Sequence, residues 1–425
     1  MIRLIEAKNY RSLKFISITL DEFHVLIGAN ATGKSTFLDV VKFLSDIVNY
    51  GIDKAINDRA AYFGELTFGG KGGDIEFVLE ALLPNNIKEK FNGRNFSIIR
   101  YEIKIGIAQD SEENAIKEER VWLLTPDAKY KAETPQRTLF PEMSAEPMTI
   151  LMDKFKPKNF KRVISSKKIE GKKNDNFYIE TQEASGKGWL PSFKFGIKKS
   201  ALGNLPEDET KFPASTWLKS FLQQGVQLFI LNSLDIRQPS APGQSMHFKT
   251  DGSNLPWVIE NLRKNKKRFS QWIEHIKTAL PDIKDIITVE RDEDRKRYLK
   301  VKYENGIEVP SWLVSDGTLR LLALTIPAYI DGIQGVYLIE EPENGIHPKA
   351  IECVYQSMSS VYDAQILLAS HSPVILSMLD LKTLLCFGKT QDGITDIVRG
   401  IEHPKLKEWK GNPNLYLLFA NGILS

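Results

Sequence analysis

The sequence predicts an α/β protein with a mostly parallel sheet, an antiparallel lobe and a mixed α/β insertion. Three observations predict it. A strand-like run, HVLIG (24–28), passes through a glycine-rich turn into a segment with apolar residues at helical spacing: Phe37, Leu38, Val41, Leu44, Ile47 and Val48. From residue 316 onward helix-like and strand-like segments alternate, a pattern that demands crossover connections and so parallel strands. Between 66 and 108 the runs LTFGG, DIEFVLEALL and FSIIRYEIKIGIA alternate in polarity over short connections, as antiparallel strands do.

Taken in order, LIEAKNY, FISITL and HVLIG read as short strands, and the helix follows from residue 35. Residues 1–108 form an N-terminal lobe. Residues 109–225 are Lys-rich, with short β-like pieces, and read as a basic insertion. Order returns at 226 with VQLFILNSL, a strand. Residues 254–280 carry a helical pattern, and 284–309 read as strands with a hairpin at Glu304–Asn305–Gly306. Then come helix 317–330, strand 335–340, helix 348–362, strand 365–370, helix 373–379 and strand 383–387, closing a C-terminal lobe at 226–390. Residues 391–425 read as a tail.

The 425 residues are 42% apolar and 26% charged, enough for a sizeable core and unlike a disordered chain. Two cysteines, Cys353 and Cys386, cannot make a disulfide framework, which fits a reducing cytoplasm. The opening MIRLIEAKNYRSLKF has charges throughout and no apolar run, so it does not read as a signal peptide, and no stretch is long and apolar enough to span a membrane. The net charge of +3 is uneven. Residues 151–200 hold 13 Lys/Arg against 5 Asp/Glu, a net of +8.

Gly28-Ala-Asn-Ala-Thr-Gly33-Lys34-Ser35-Thr36 fits G-x-x-x-x-G-K-[ST] between a strand and a helix, the setting of a phosphate-binding loop. Its glycines let successive N–H groups turn inward on phosphate oxygens, and the helix N-terminus adds favourable field. Gly28, Asn30, Gly33, Lys34, Ser35 and Thr36 are therefore the candidate ATP-binding residues, with Lys34 on the β- and γ-phosphates and the Ser35 hydroxyl on Mg²⁺. A second motif, Val336-Tyr-Leu-Ile-Glu340-Glu341-Pro-Glu343-Asn344-Gly345-Ile-His347-Pro348, is an apolar strand ending in paired carboxylates. Glu340 is the candidate Mg²⁺ ligand and Glu341 the general base for water. Side chains adjacent on a strand point to opposite sides, so two different tasks are expected.

Together with Ser315-Asp-Gly317-Thr and Ala369-Ser-His371-Ser-Pro, these motifs resemble the ABC-type ATPase heads of the SMC, RecF and OLD class. The nearest resemblance is to the OLD-like ATPases of bacterial anti-phage defence, without a Toprim domain. The likeness covers 1–108 and about 226–390. It implies that Ser315 and Gly317 form a signature that contacts the γ-phosphate held by another copy. It implies too that His371 is a catalytic switch histidine and that Asn344 and His347 lie in a loop bridging two copies. Tyr10-Arg11-Ser12 resembles a RecF-type segment that would bring Arg11 near ATP. Gln238, with Gln227 as second choice, stands for the glutamine that would reach the metal. Two departures are Glu340, where the pattern usually has Asp, and Ser-Asp-Gly-Thr in place of the transporter Leu-Ser-Gly-Gly-Gln.

The basic stretch 151–200, with Phe155, Phe160, Phe177, Tyr178, Trp189, Phe193 and Phe195 interleaved, is a candidate DNA contact or a protein-docking face. The expectation is an ATPase that uses ATP and Mg²⁺, forms at least a homodimer through composite ATP sites, and controls a separate effector, a nuclease or toxin. A RecF- or SMC-like DNA-repair ATPase is the alternative. The 109–225 region lacks the sustained heptads of an SMC coiled coil. About 35 residues after 390 leave little room for a built-in nuclease, and the six histidines show no metal-ligand spacing.

Overall fold

The structure, a computed structural model, describes residues 1–91, 93–128, 137–142, 145–152, 159–168, 174–181, 192–407, 414–422 and 424. The chain begins β1 (Ile2–Tyr10), β2 (Leu13–Thr19), β3 (Phe23–Gly28), α1 (Lys34–Tyr50), β4 (Ile75–Leu82), β5 (Ile98–Ile107) and β6 (Asn114–Leu124). It continues β7 (Phe160–Lys167), β8 (Asn174–Phe177), β9 (Ser192–Phe193), α2 (Pro213–Gln224), β10 (Val226–Phe229), α3 (Ser233–Arg237), α4 (Leu255–Arg263) and α5 (Lys266–Ala279). Then come β11 (Ile283–Glu290), β12 (Arg297–Tyr303), β13 (Glu308–Pro310), α6 (Asp316–Thr325), β14 (Gly335–Glu340) and α7 (Pro348–Ser359). β15 (Ala364–Ala369), α8 (Pro373–Met378), β16 (Leu384–Lys389) and β17 (Thr395–Arg399) follow.

Two large sheets enclose α1. One is antiparallel, in the order β2-β1-β4-β5-β6-β7-β8-β9. The other, β10-β14-β15-β3-β16-β17, is parallel except for its last pair. α1 is buried along most of its length because it touches both: Phe37, Val41 and Phe43 share one core with Ile5, Phe77 and Tyr101 of the first sheet and Leu26, Leu338 and Leu367 of the second. Alternate residues of the parallel strands, Val25, Ile27, Ile339 and Leu368, enter a second core formed with the helices of the other face. β11, β12 and β13 form a small separate sheet, and β12 turns into β13 through residues 304–307, where the hairpin was expected.

Several boundaries differ from the pattern reading. LTFGG is no strand: Phe63–Leu66 and Phe68–Gly70 are 3₁₀ turns, and positive φ at Gly69, Gly70, Gly72 and Gly73 keeps the segment from extending. The antiparallel sheet runs on past residue 108, since β6 pairs with β5 and β7 with β6. β17, in the segment read as a tail, is the edge strand of the parallel sheet. The helix from 316 stops at Thr325, before Pro327, and the 254–280 pattern is two helices, with the Asn265 side chain capping α5.

Across the antiparallel sheet lies a buried ionic network. The Arg100 guanidinium donates to Glu80 at 2.8 Å and Glu102 at 2.7 Å, and lies 3.2 Å from Glu6. It also donates to the Ile150 carbonyl at 2.9 Å, while Ile150 N–H donates to Glu76 and Met152 N–H to Glu102. These bonds fasten residues 149–152 across the sheet. Burial raises the pKa of Glu102 from its ordinary value, against the pull of Arg100. Arg100→Ala removes the guanidinium that three buried carboxylates share. It should lower unfolding free energy by about 3–5 kcal/mol, measured as a reduced urea midpoint. The deficit should shrink between pH 7 and pH 5, because carboxylates left without the cation take up protons in the folded state more readily than in the unfolded chain, and stability then rises as pH falls.

Candidate functional site

The parallel sheet brings the candidate residues together at the carboxyl ends of its central strands. β3 ends at Gly28, β14 at Glu340 and β15 at Ala369, and β15 lies between the other two. The 28–36 loop therefore faces both the paired carboxylates and His371.

The loop has the shape its glycines permit. Gly33 sits at φ +98°, and a Cβ there would lie 2.5 Å from Thr395 Oγ1 and 2.8 Å from Ser12 Oγ; at Gly28 a Cβ would lie 2.3 Å from the Phe387 carbonyl. Lys34 opens α1 and is buried, its ammonium donating to the carbonyls of Gly28 (2.8 Å) and Ala29 (3.0 Å). Burial pulls its pKa down to about 8 against the opposing influence of Glu341, Glu340 and Glu343. Asn30 is exposed on the loop and Thr36 lies in the first turn of α1. The Ser35 hydroxyl donates to Glu340 Oε2 at 2.6 Å, joining residues 305 positions apart. A hydroxyl and a carboxylate oxygen so close are hard donors of the kind Mg²⁺ takes, with water and phosphate oxygens filling its other positions, so these residues fit that ion.

Glu341 does not continue the strand. Its N–H still donates to the Ala369 carbonyl at 2.8 Å, but its φ is +45°, in the left-handed region. The charges of both carboxylates reach Lys34, that of Glu341 more strongly than that of Glu340. Asn344 Nδ2 donates to Glu341 Oε2 at 2.6 Å, and His371 Nε2 lies 3.9 Å from Glu341 Oε1. Burial, and then nearby Lys34, lowers the His371 pKa, favouring the neutral ring.

Glu343 is a residue the motif reading left without a task. Its Oε1 accepts from the His371 N–H and the Ser370 hydroxyl, both at 2.8 Å. It thus holds the histidine loop to the loop carrying Glu341. Its place in the acidic run was the only available signal. The turn then enters α7, where the His347 ring accepts from Lys349 N–H as an N-cap.

At α6, Ser315 is exposed and caps the helix, accepting from Thr318 N–H at 3.2 Å. Asp316 is held by Arg237 Nε at 2.8 Å. Gly317 packs on the acidic turn, where a Cβ would lie 2.7 Å from the Gly345 carbonyl. That contact supplies a structural reason for glycine at 317, besides the phosphate contact expected of it. Gln238 is exposed at the C-cap of α3, next to Arg237 and so on the signature side; no hydrogen bond among the described residues ties it to Ser35 or Glu340. Gln227 lies on β10 and donates to the Gln224 carbonyl. Arg11 is drawn to α1, 3.2 Å from Asp39, in a cluster where Arg59 bridges Asp39 and Asp46.

In the basic stretch, Lys154, Phe155, Lys156, Lys158, Lys172, Lys173 and Trp189 lie outside the described residues. Lys198 pairs with Asp53 and Glu113, Lys168 reaches Asp175 and the Lys199 carbonyl, and Arg162 lies over Trp122 and Tyr178. Phe177 is buried against Phe193, Phe195 and Phe212. No helix among the described residues is long and apolar enough to cross a membrane.

A family model described as "AAA domain, putative AbiEii toxin, Type IV TA system" matches residues 23–377. The chain belongs to that AAA-domain family. Among solved structures, the AAA-domain chain is similar to an SMC head bound to the C-winged helix domain of ScpA. The TM-score is 0.50 at 12% identity, over 93% of this chain and 96% of that one. The SMC head domain from Thermotoga maritima gives 0.42 at 10% identity, over 94% and 98%. An SMC head with an extended coiled coil, bound to the C-terminal domain of ScpA from Pyrococcus furiosus, gives 0.44 at 13%, over 93% and 95%. No curated protein sequence matches. The fold is that of a P-loop ATPase head of the SMC kind.

Two outcomes follow from this geometry. Because Lys34 loses its proton near pH 8 and a triphosphate needs the ammonium form, ATP affinity should fall by about tenfold per pH unit above 8, measured with a fluorescent ATP analogue. Lys34→Ala should bind weakly with no such slope. Gly317→Ala drives a methyl into the Gly345 carbonyl and should cost about 1–3 kcal/mol of stability in thermal or urea unfolding.

Proposed function

We propose that this chain is an ATP-hydrolysing switch that closes on a second copy through shared ATP sites and thereby controls a separately encoded nuclease or toxin in anti-phage defence. The observation that carries the reading is the Ser35–Glu340 bond, flanked by Glu341 and His371 on neighbouring strand ends. The family description ties the AAA domain to a type IV toxin–antitoxin system and names the toxin as the AAA-domain chain itself, so it supports the toxin-system setting and not the separateness of the effector. The exposed Ser315 at the start of α6 supports a contact with nucleotide held by another copy.

In this mechanism the Lys34 ammonium exchanges its two carbonyl partners for β- and γ-phosphate oxygens, joined by N–H groups of the 28–36 loop. Bound Mg²⁺, held from Ser35 and Glu340, supplies charge neutralisation on those phosphates. Glu341, oriented by Asn344, accepts the proton of the attacking water. Neutral His371 donates a hydrogen bond to the γ-phosphate, and Glu343 sets its position. Loss of the γ-phosphate then shifts the His371 loop and, through Gly345, α6 and the copy docked there.

The likeness of the fold to an SMC head favours the second reading, a RecF- or SMC-like DNA-binding ATPase. DNA-stimulated turnover would select it.

Glu341→Gln should bind ATP but hydrolyse it about 10²–10⁴-fold more slowly. With ATP and Mg²⁺ its light-scattering mass should double from that of the 48.3 kDa monomer. Wild-type turnover in the variant would remove Glu341 from the base role. A mass already multiplied without ATP would make the assembly constitutive.

A further inference from the structure

At the other end of the parallel sheet, where β14 and β15 begin, a cleft of about 910 Å³ opens between α2, the loop 331–335 and residues 362–365. Its size falls in the range of ligand sites. Phe221 and Tyr337 are buried in its floor, 9% and 6% exposed. Trp217 stacks on Phe221 with ring centroids 5.4 Å apart, and Tyr362 stands at the mouth, 83% exposed. The acidic side chains of the lining are Glu22, Asp331 and Asp363; among the described residues no lysine or arginine lines it. Asp331 already pairs with Arg268, whereas Glu22 and Asp363 are exposed and have no side-chain partner among the described residues. The Met1 amine also lines the cleft, but burial lowers its pKa and so weakens its charge.

Aromatic rings and exposed, unpaired carboxylates in one lining suit one kind of guest. A guanidinium or ammonium group gains from the ring faces on entering and from the carboxylates at the mouth, while an anion meets unscreened negative charge. We propose that this cleft is a docking site for an arginine- or lysine-bearing segment of a partner protein. The segment lies across Trp217 and Tyr362 with a cationic side chain over the rings, and Glu22 and Asp363 pair with its other charges. The site stands apart from the ATP site, which occupies the opposite ends of the same strands, so either assignment can fail without the other.

The test is calorimetric titration of the full chain with an octapeptide of alternating glycine and arginine, against its glycine–glutamate counterpart. The arginine peptide should bind at least about tenfold more tightly and weaken as salt rises. The surface variant carrying both Glu22→Lys and Asp363→Lys should lose about tenfold or more in affinity, and Trp217→Ala likewise, while ATP affinity stays at the wild-type value and reports an intact fold. Equal binding of the two peptides, no binding of either, or undiminished binding by the double variant would overturn the proposal. Spermidine binding as tightly as the peptide would overturn the assignment to a protein segment.

Discussion

The strand order β14-β15-β3 in a parallel sheet is the constraint on which the site depends. All three strands run the same way, so their carboxyl ends share one edge, and register pairs Glu340 with Ala369 and Ala369 with Leu26. Residues 28–36, 340–345 and 369–372 become neighbours only because of that order. A slip of one residue in β14 would turn Glu340 to the other face of the sheet. Burial opposes such a slip: Leu338 belongs to the core around α1, and Tyr337 and Ile339 to the core of the opposite face.

Within this frame the charges are arranged for exchange. Lys34 feels the charges of three glutamates but satisfies its ammonium on two backbone carbonyls, uncharged partners that an anion's oxygens can replace. Glu340 is engaged with Ser35, Glu341 with Asn344, and Glu343 with the His371 loop, so three adjacent acids do three separate things. Glu341, in the middle of this turn, has a left-handed backbone. Strain of that kind persists where the surroundings over-determine it, and here hydrogen bonds from Glu341 N–H and Asn344 hold it in place. The same turn touches α6 through Gly345 and Gly317, so the turn that carries Glu341 and the exposed Ser315 belong to one packed unit.

The two ends of the sheet differ in what they offer. The carboxyl ends present a buried lysine at a glycine loop and a row of acids. The amino ends present aromatic rings and free carboxylates. β14 and β15 run through both and are buried along nearly their whole length, so they connect the two without a flexible joint.

Much of this was legible in the linear chain. The helix after Gly33 followed from apolar spacing, the turn ahead of it from its glycines, and the strand before Glu340 from an unbroken apolar run; each is a short-range pattern written in neighbouring residues. Glu343 and the Gly317–Gly345 contact were not legible, because each depends on a partner many positions away. Nor was the pairing of Arg11, which the likeness to a RecF-type segment linked to the nucleotide and which here lies 3.2 Å from Asp39 on α1. The strands beyond 108 were hidden for a similar reason, since pairing to β5 is a property of two segments and not of one. By itself, then, the sequence determined which residues could carry phosphate chemistry and where helices and strands would start. Only the tertiary structure decided which carboxylate serves which partner, because side-chain tasks are set by distances of a few ångströms between segments that lie from a few to 305 residues apart, and local propensity carries no record of them.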